Sequence, residues 1–375
     1  MDKQKVIVAM SGGVDSSVAA LLLKNEGYDV VGMTLRLWTK DGQDDYGENN
    51  RCCSVEDVDD ARRVCQILDI PHYFVNFEKE FQEHVVNYFL KEYDSGRTPH
   101  PCFACNDKIK FDFLLRRAMF LDADFIATGH YAQIEQNESH FSLMKGMDDK
   151  KDQSYVLFTL SQKELSKLKF PVGRYTKKEI RSLAEQSGLP VAGKPDSQEI
   201  CFIPSGNYRE FIEARLEPKP GRFIDPQGNV LGDHQGIQYF TIGQRRKLGF
   251  NASDGEPRFV VDINPDNYDV VLGLENDLLR SRFTAKKISF TRNFDLGTRI
   301  QVTAKIRYKA TDEPAVVTIS GTEAVIEFDN PQRAITPGQP VVFYQKNELI
   351  GGGIIENSEN ITPDALYKRK ISISN

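Results

Sequence analysis

The 375-residue sequence contains no apolar run that approaches the roughly 18 residues needed to span a bilayer. Its first ten residues place charged side chains before only five apolar ones, at positions 6–10, which is too short for a secretory signal. With 40% hydrophobic residues the chain is an ordinary globular protein, and its length suggests two or three domains. We therefore expect a cytoplasmic protein that has no membrane partner.

Cysteine is absent after residue 201, so the six cysteines crowd into the first part of the chain. A disulfide framework is typical of small secreted domains, and this distribution does not fit one. Thiol chemistry in a reducing compartment fits better. The cysteines are Cys52, Cys53, Cys65, Cys102, Cys105 and Cys201.

Lysine is absent between Met10 and Leu23, although this segment carries a glycine-rich turn. Residues 11–17 read SGGVDSS and lie between an apolar run that predicts a strand and a pattern typical of an apolar helix. Glycines let such a turn bring its N–H groups against an anion, and the helix points its positive end at the same place. The missing lysine excludes the mononucleotide P-loop, which requires Gly-Lys-Ser/Thr.

The turn also carries hydroxyl and carboxylate groups that suit phosphate. Ser11, Ser16 and Ser17 supply hydroxyl donors, while Asp15 is able to cap the helix or to hold a Mg²⁺-bound phosphate. This pattern resembles the pyrophosphatase loop of enzymes that split ATP between its α and β phosphates. It predicts ATP, with Mg²⁺, as the cofactor; the alternative is an ordinary glycine-rich turn with a polar cap.

An overall excess of positive charge is also missing, since the formal net charge is −6. A uniform distribution would argue against nucleic acid as a partner. Residues 286–309, however, hold seven lysines and arginines and a single acid, Asp295. This basic stripe is a candidate phosphate-binding surface, and a solvated strand face explains it equally well.

Strand and helix patterns alternate through the first part of the chain, which predicts a parallel sheet covered on both faces. Ligands bind at the carboxyl ends of such strands, where the phosphate loop lies. After residue 258 the chain shows period-2 runs typical of an antiparallel barrel or sandwich. We expect strands at residues 5–10, 29–37, 72–76 and 125–128, and helices at residues 16–26, 55–68, 79–93 and 108–121.

The predicted fold class is therefore α/β, in three domains. An N-terminal ATP-pyrophosphatase domain with a parallel sheet covers residues 1–205, and a small central domain covers residues 206–280. A C-terminal antiparallel β-barrel covers residues 281–375.

Cys105 follows two prolines, which we expect to forbid helix until Asn106 caps the helix beyond it. A thiol just before a helix N-terminus has its thiolate stabilised by the helix dipole, and Lys108 and Lys110 add positive charge. Cys105 is therefore a candidate nucleophile. Cys201 has apolar neighbours, and its local sequence alone favours a small buried core residue.

Seven motifs, in this order along nearly the whole chain, together resemble the tRNA-specific 2-thiouridylases. They are SGGVDSS at 11–17, PCFACN at 101–106, TGHY at 128–131, KDQS at 151–154, DSQEICF at 196–202, TIGQRR at 241–246 and RY at 307–308.

The resemblance implies an enzyme that replaces the 2-oxygen of wobble uridine 34 in tRNA with sulfur. ATP would adenylate that oxygen and make it a leaving group. A persulfide on Cys201, loaded by a cysteine desulfurase or a sulfur-relay protein, would bring the sulfur. Cys105 would release it and be left in a disulfide with Cys201.

The resemblance also implies which residues meet each substrate, with the barrel among the tRNA-contacting parts. His130 and Gln339 are weaker candidates for reading the tRNA. The implied ATP contacts are Ala9, Met10, Ser11, Gly12, Gly13, Val14, Asp15, Ser16, Leu35 and Gly129, the contacts to the target base are His100, Pro101 and Cys102, and the further tRNA contacts are Lys151, Asp152, Gln153, Arg307 and Tyr308.

One departure from the family leaves the thiol roles open. The family often has Asn-Pro-Asp where this chain has His100-Pro101-Cys102, which places a second thiol three residues before Cys105. Alternative functions are a tRNA sulfur transferase with an iron–sulfur cluster held by Cys102, Cys105 and Cys201, an amide-forming ATP pyrophosphatase, and a nucleotide-binding module without catalysis.

Overall fold

A parallel sheet organises the N-terminal part of the protein in the computed structural model, which describes residues 3–38, 55–196, 200–203, 206–250, 252 and 255–358. In chain order the strands are β1 (Lys5–Met10), β2 (Asp29–Arg36), β3 (His72–Asn76), β4 (Phe125–Ala127), β5 (Ala132–Gln136), β6 (Phe141–Lys145), β7 (Leu168–Lys169), β8 (Gly221–Ile224), β9 (Val230–His234), β10 (Phe259–Asn264), β11 (Asp269–Gly273), β12 (Leu279–Phe290), β13 (Arg299–Lys305), β14 (Glu313–Ser320), β15 (Glu323–Arg333), β16 (Pro340–Gln345) and β17 (Glu348–Ser358).

The helices lie mostly in the first half of the described chain. Two π-type segments, Gln82–Val86 and Cys105–Phe113, join helices that follow one another without a break. The α-helices are α1 (Val14–Asn25), α2 (Val55–Ile67), α3 (Glu78–Phe81), α4 (Asn87–Asp94), α5 (Pro101–Ala104), α6 (Leu114–Phe120), α7 (Gln162–Leu165), α8 (Lys177–Gln186) and α9 (Tyr208–Glu213).

The parallel sheet has the strand order β3-β2-β1-β4-β7. The central strand β1 forms because Val6, Ile7 and Val8 are apolar and β-branched, and all three are at most 1% exposed. The four strands expected from the sequence here are confirmed, and their carboxyl ends share one edge.

The central and C-terminal parts form two further sheets. A four-stranded sheet has the order β10-β11-β8-β9. Strands β12 to β17 close into an antiparallel barrel, because β12 pairs with both β15 and β17. The expected α/β class with a C-terminal barrel is confirmed. The runs near residues 259–272 form β10 and β11, which belong to the four-stranded sheet with β8 and do not pair with the described strands of the C-terminal barrel.

A hairpin from the N-terminal half extends the barrel sheet. Strands β5 and β6 pair with each other, and β6 pairs with β17 through Met144 opposite Glu348 and Leu143 opposite Leu349. Sequence patterns did not reveal this link, since the partner strand lies about two hundred residues away along the chain. The domain boundaries at 205 and 280 stay a prediction.

Within the described residues, none of the helices is long and apolar enough to cross a membrane.

Tyr155 joins the N-terminal half to the barrel. Its ring is fully buried, and its hydroxyl donates to the carbonyl oxygen of Pro340 at 2.7 Å. Removing a buried donor leaves its acceptor without a partner, which costs about 1–3 kcal/mol. The hydroxyl therefore contributes to the attachment of the barrel.

We expect Tyr155→Phe to lower the free energy of unfolding by about 1–3 kcal/mol, because the Pro340 carbonyl loses its donor. Urea unfolding followed by the fluorescence of the single tryptophan and by circular dichroism measures this change. Tyr73→Phe is the matched control, since Tyr73 is 57% exposed and such surface changes stay within about 0.5 kcal/mol. Equal effects of the two substitutions would contradict the assignment.

Candidate functional site

The phosphate loop folds as a tight turn between β1 and α1. Gly12 has a φ of +69°, a conformation that glycine adopts without strain. The Ser16 hydroxyl accepts from the Ser11 N–H at 3.2 Å and donates to the Gly13 carbonyl at 3.2 Å. Gly13 is the N-cap residue, and no side chain caps the helix there. The start of α1 is therefore built to receive an anion.

Asp15 lies in the first turn of α1 and does not cap that helix. The prediction that its carboxylate is able to cap the helix is therefore wrong. Its carboxylate accepts from the Tyr131 hydroxyl at 2.7 Å and from Lys177 Nζ at 2.8 Å on both oxygens. Tyr131 and Lys177 thus tie the loop to the segments after β4 and at the start of α8. Sequence reasoning missed both residues.

Gly129 packs directly against the loop. A Cβ at this position would lie 2.6 Å from the Ser16 backbone nitrogen and 2.7 Å from the Asp15 carbonyl carbon. Of the other predicted ATP contacts, Met10, Val14 and Leu35 are buried core residues, whereas Ser11 is exposed.

Asp196 is the centre of an ion-pair network next to the loop. Lys151, Lys177 and Arg181 contact its carboxylate at 2.6, 2.9 and 2.8 Å. Burial alone would raise the pKa of Asp196, but hydrogen bonds and charge from Lys151 and Lys177 lower it to about 2. Lys151, a predicted tRNA contact, is thus engaged within the protein.

Lys194 approaches the loop from the other side. Its Nζ donates to the Gly12 carbonyl at 3.1 Å and contacts Asp57 at 2.6 Å and Asp60 at 2.7 Å. Partial burial would lower the pKa of Lys194, but the two aspartates outweigh it and raise that pKa. The sequence signal available for Lys194 was its place in the GKPDS segment at 193–197, and the spacing of that segment alone assigns Lys194 no role.

The helix that carries the two neighbouring thiols begins earlier than the sequence analysis expected. His100 is its N-cap residue and Pro101 occupies the first helical position, where proline is favoured because its missing N–H needs no partner. The expectation that Asn106 caps this helix is wrong: Asn106 is buried inside the helix and donates to the Val156 carbonyl at 3.3 Å. Cys102 therefore lies in the first turn, and Cys105 one turn later.

Cys102 is exposed to solvent, and the protein atoms around it still desolvate its thiol. Desolvation and, to a smaller extent, the nearby Cys201 raise the pKa of the Cys102 thiol to about 11, although the charge of Lys110 lowers it. Cys102 and Cys201 are thus neighbours despite their separation in sequence. Cys105 and Cys201 are both half-buried and pack against the same apolar core.

Aromatic rings lie near Cys102. The His100 ring lies 5.8 Å from the ring of Tyr155 and 6.3 Å from that of Tyr308, between centroids. Burial lowers the pKa of His100 to about 4, so its imidazole is neutral at physiological pH. Neutral and aromatic surfaces of this kind suit a nucleobase.

Gln339 and Arg307 come from the barrel. The Gln339 amide donates to the carbonyls of Thr98 and Pro99 at 2.9 and 3.1 Å, so it holds the strap, the Thr98–Pro99 segment that precedes the helix. Arg307 donates to the Arg333 carbonyl at 2.8 Å, and within the described residues its buried Nε has no hydrogen-bond partner.

His130, Asp152 and Gln153 have structural partners. The His130 ring is 6% exposed, packs near Phe111 and Phe170, and contacts the Thr128 hydroxyl at 2.6 Å. Asp152 accepts from the Gly146 and Ser154 backbones, and Gln153 accepts from the Tyr131 N–H at 3.0 Å. Their proposed contacts with tRNA stay predictions.

Three of the seven bases in the stripe at residues 286–309 contact acids at the barrel surface. Lys286 contacts Glu356 at 3.4 Å, Arg292 contacts Glu348 at 3.5 Å, and Arg299 lies 4.0 Å from Glu327. These contacts favour a solvated strand face over a continuous phosphate-binding stripe.

Metal-binding clusters are absent from the part of the chain that the structure describes, where no group of three or more His, Cys, Asp or Glu side chains is placed to hold a metal ion. Cys65 is a 1% exposed core residue, and burial raises the pKa of its thiol to about 11. Cys52 and Cys53 lie outside the described residues.

Three protein-family models match the chain in succession. They are a tRNA methyl transferase HUP domain at residues 4–205, a tRNA methyl transferase PRC-barrel domain at residues 209–274 and an aminomethyltransferase β-barrel domain at residues 280–355.

Relatives match over almost their whole length. A tRNA-specific 2-thiouridylase of Lachnoclostridium phytofermentans is 49% identical over 356 residues, covering 94% of this chain and 99% of its own. One from Clostridium perfringens is 49% identical over 362 residues, covering 95% and 99%. A solved 4-thiouridine synthetase–RNA complex with bound ATP has a TM-score of 0.34 and 17% identity, covering 56% of this chain and 50% of that one.

We expect Gly129→Ala to weaken ATP binding at least about tenfold, because the added methyl group would displace the phosphate loop at Ser16. Titration calorimetry with Mg²⁺-ATP measures the affinity. Gly193→Ala is the matched control, since no atom of the described residues lies within 4 Å of a Cβ built there. Unchanged affinity in Gly129→Ala would refute the packing argument.

The neutral His100 predicts a pH dependence of stability. Its folded pKa of about 4 lies below the value of about 6.5 in the unfolded chain, so the unfolded state binds the proton more tightly. This contribution is fully present above pH about 6.5 and is lost as the pH falls toward 4. At pH 4.5 the loss is about 2–3 kcal/mol.

We therefore expect His100→Gln to reduce the difference in unfolding free energy between pH 7.5 and pH 4.5 by about 2–3 kcal/mol, measured by urea unfolding. The other buried histidines, His72, His130 and His234, are present in both proteins and cancel in the comparison. An identical pH dependence in wild type and variant would exclude a buried neutral His100.

Proposed function

The chain belongs to the tRNA-specific 2-thiouridylase family, and we propose that it catalyses ATP-dependent sulfur transfer to carbon 2 of wobble uridine 34 in tRNA. The observation that carries the proposal is the phosphate loop at the start of α1, with Gly12 in the left-handed region and Gly129 packed against Asp15 and Ser16. The proximity of Cys102 to Cys201 supports a role for thiols in the same protein.

The first step activates the uracil carbonyl. The phosphate loop holds the triphosphate, the C2 oxygen attacks the α-phosphorus, and the bond to pyrophosphate breaks with its electron pair leaving on pyrophosphate. Mg²⁺ would enter on the phosphates of ATP, and Asp15 is the loop carboxylate able to meet it. Adenylation is required because a uracil carbonyl does not expel oxide unaided.

The second step transfers sulfur. The outer sulfur of a Cys201 persulfide attacks C2, and AMP leaves with the former carbonyl oxygen. The Cys105 thiolate then attacks the Cys201 sulfur and breaks the S–S bond, whose electrons remain with the transferred sulfur. The products are 2-thiouridine, AMP, pyrophosphate and a Cys105–Cys201 disulfide.

The roles of the two neighbouring thiols are assigned from the family resemblance and from their surroundings. Desolvation and the nearby Cys201 raise the pKa of the Cys102 thiol to about 11, which disfavours its thiolate. Cys102 lies near the His100 and Tyr308 rings, and we assign it to contact with the extruded base. Cys105 keeps the nucleophilic role that the resemblance implies, although it lies one turn inside the helix and not at the N-terminus that the sequence analysis expected.

Further residues complete the substrate contacts. The proposed tRNA contacts are Lys151, Asp152, Gln153, Arg307 and Tyr308, with Gln339 and His130 acting through the segments that they hold. The sulfur donor is a cysteine desulfurase or a sulfur-relay protein, and the enzyme works in the cytoplasm.

We expect ³⁵S from cysteine, delivered through a cysteine desulfurase, to label unmodified tRNA only with ATP. Cys105→Ser and Cys201→Ser should each reduce labelling by more than about 10³-fold, because each removes an obligatory sulfur. Cys102→Ser is the matched control and should retain labelling within about tenfold. Label that survives Cys105→Ser while Cys102→Ser abolishes it would reverse the thiol assignment, and label without ATP would refute the mechanism.

A further inference from the structure

We infer that Lys177 and Lys194 form a pair of cations that binds the pyrophosphate half of ATP, one on each side of the phosphate loop. This inference rests on the proposed function, since it names further ligand-binding residues for the same loop. Neither residue belongs to the loop, and both come from the segment that begins with α8.

The loop itself carries too little positive charge for its ligand. It has no lysine between Met10 and Leu23, and a helix N-terminus supplies only about half an elementary charge. The ATP triphosphate carries several negative charges, which a single helix end cannot balance. Mg²⁺ offsets part of this charge, and further cations must come from elsewhere in the fold.

Lys194 and Lys177 are placed at opposite ends of the turn. Lys194 Nζ donates to the Gly12 carbonyl at 3.1 Å, where the turn begins. Lys177 Nζ lies 2.8 Å from both oxygens of Asp15, in the first turn of α1. Two cations separated along the loop fit two linked phosphates better than a single phosphate.

Acidic residues hold both ammonium groups in place before the ligand arrives. Asp57 and Asp60 contact Lys194 at 2.6 and 2.7 Å, and Asp196 contacts Lys177 at 2.9 Å. The Lys177 and Lys194 side chains are only 12% and 30% exposed. Positions fixed in this way lose little conformational freedom when phosphate binds.

The contacts leave both lysines able to change partner. An ammonium group has three donors, so Lys194 is able to keep an aspartate while it donates to a phosphate oxygen. Lys177 bridges Asp15 and Asp196, and phosphate would compete for the side that faces the loop. The acids thus balance the lysine charges in the structure, and phosphate takes over part of this role on binding.

The test measures the binding of three ligands by titration calorimetry: Mg²⁺-ATP, Mg²⁺-pyrophosphate and AMP. We expect Lys177→Met and Lys194→Met each to weaken pyrophosphate and ATP binding about tenfold or more, since each removes a charged hydrogen-bond donor. AMP affinity should change by less than about twofold, because AMP lacks the leaving pyrophosphate. Lys178→Met is the matched control, since Lys178 is exposed and adjacent in sequence.

Arginine variants keep the positive charge, so they distinguish a loss of charge from a loss of folding. Lys177→Arg and Lys194→Arg should recover part of the pyrophosphate affinity, and unchanged AMP binding shows that the nucleotide site is intact. Equal losses for AMP and pyrophosphate, or unchanged pyrophosphate affinity in both Met variants, would overturn the inference while leaving the thiouridylase proposal in place. Wild-type protein that binds neither ATP nor pyrophosphate would overturn the proposed function as well.

Discussion

The structure depends on how the backbone around Thr98 is held, because three parts of the chain meet there. The Thr98 N–H donates to the Pro337 carbonyl at 3.0 Å, and its carbonyl accepts from Gln339 at 2.9 Å. Its hydroxyl donates to that of Thr241, at 3.2 Å, in the central part of the chain. Pro99 and Pro101 have no N–H, so this anchoring depends on the backbone and side chain of Thr98 and on the Pro99 carbonyl.

This anchoring sets where the next helix begins and therefore where the thiols lie. Pro101 has a fixed φ suited to the first helical position, and the helix runs directly from the strap. Arg97, just before it, forms ion pairs with Glu92 at 2.7 Å and with Glu356 of the barrel at 3.0 Å. A shift of the barrel would thus be transmitted to the turn that carries Cys102, and a thiol reaction needs its atoms placed to within a fraction of an ångström.

Local patterns allowed part of this structure to be predicted. The run of Val6, Ile7 and Val8, the glycine turn and the helix after it are adjacent in sequence, so their order alone predicts the loop. The start of the thiol helix was predicted wrongly, because Pro101 was taken as a helix breaker although it favours the first helical position.

Contacts between distant segments were beyond the reach of local reasoning. The β5–β6 hairpin is anchored by pairing with β17, and Lys194 reaches Gly12 across 182 residues of sequence. Neither feature leaves a periodic signal. The proximity of Cys102 to Cys201 is of the same kind, and the local sequence of Cys201 indicated only a core residue.

The negative net charge of the chain is compatible with anionic substrates because many acids are already paired near the loop. Asp15, Asp57, Asp60 and Asp196 each contact a lysine, and Asp196 contacts Arg181 as well. Coulomb energies fall with distance and are screened over about 8–10 Å in salt, so a substrate responds to nearby groups more than to the sum over the chain. The position of the cations, and not the net charge of the chain, therefore decides anion binding. The paired aspartates hold Lys177 and Lys194 against the loop.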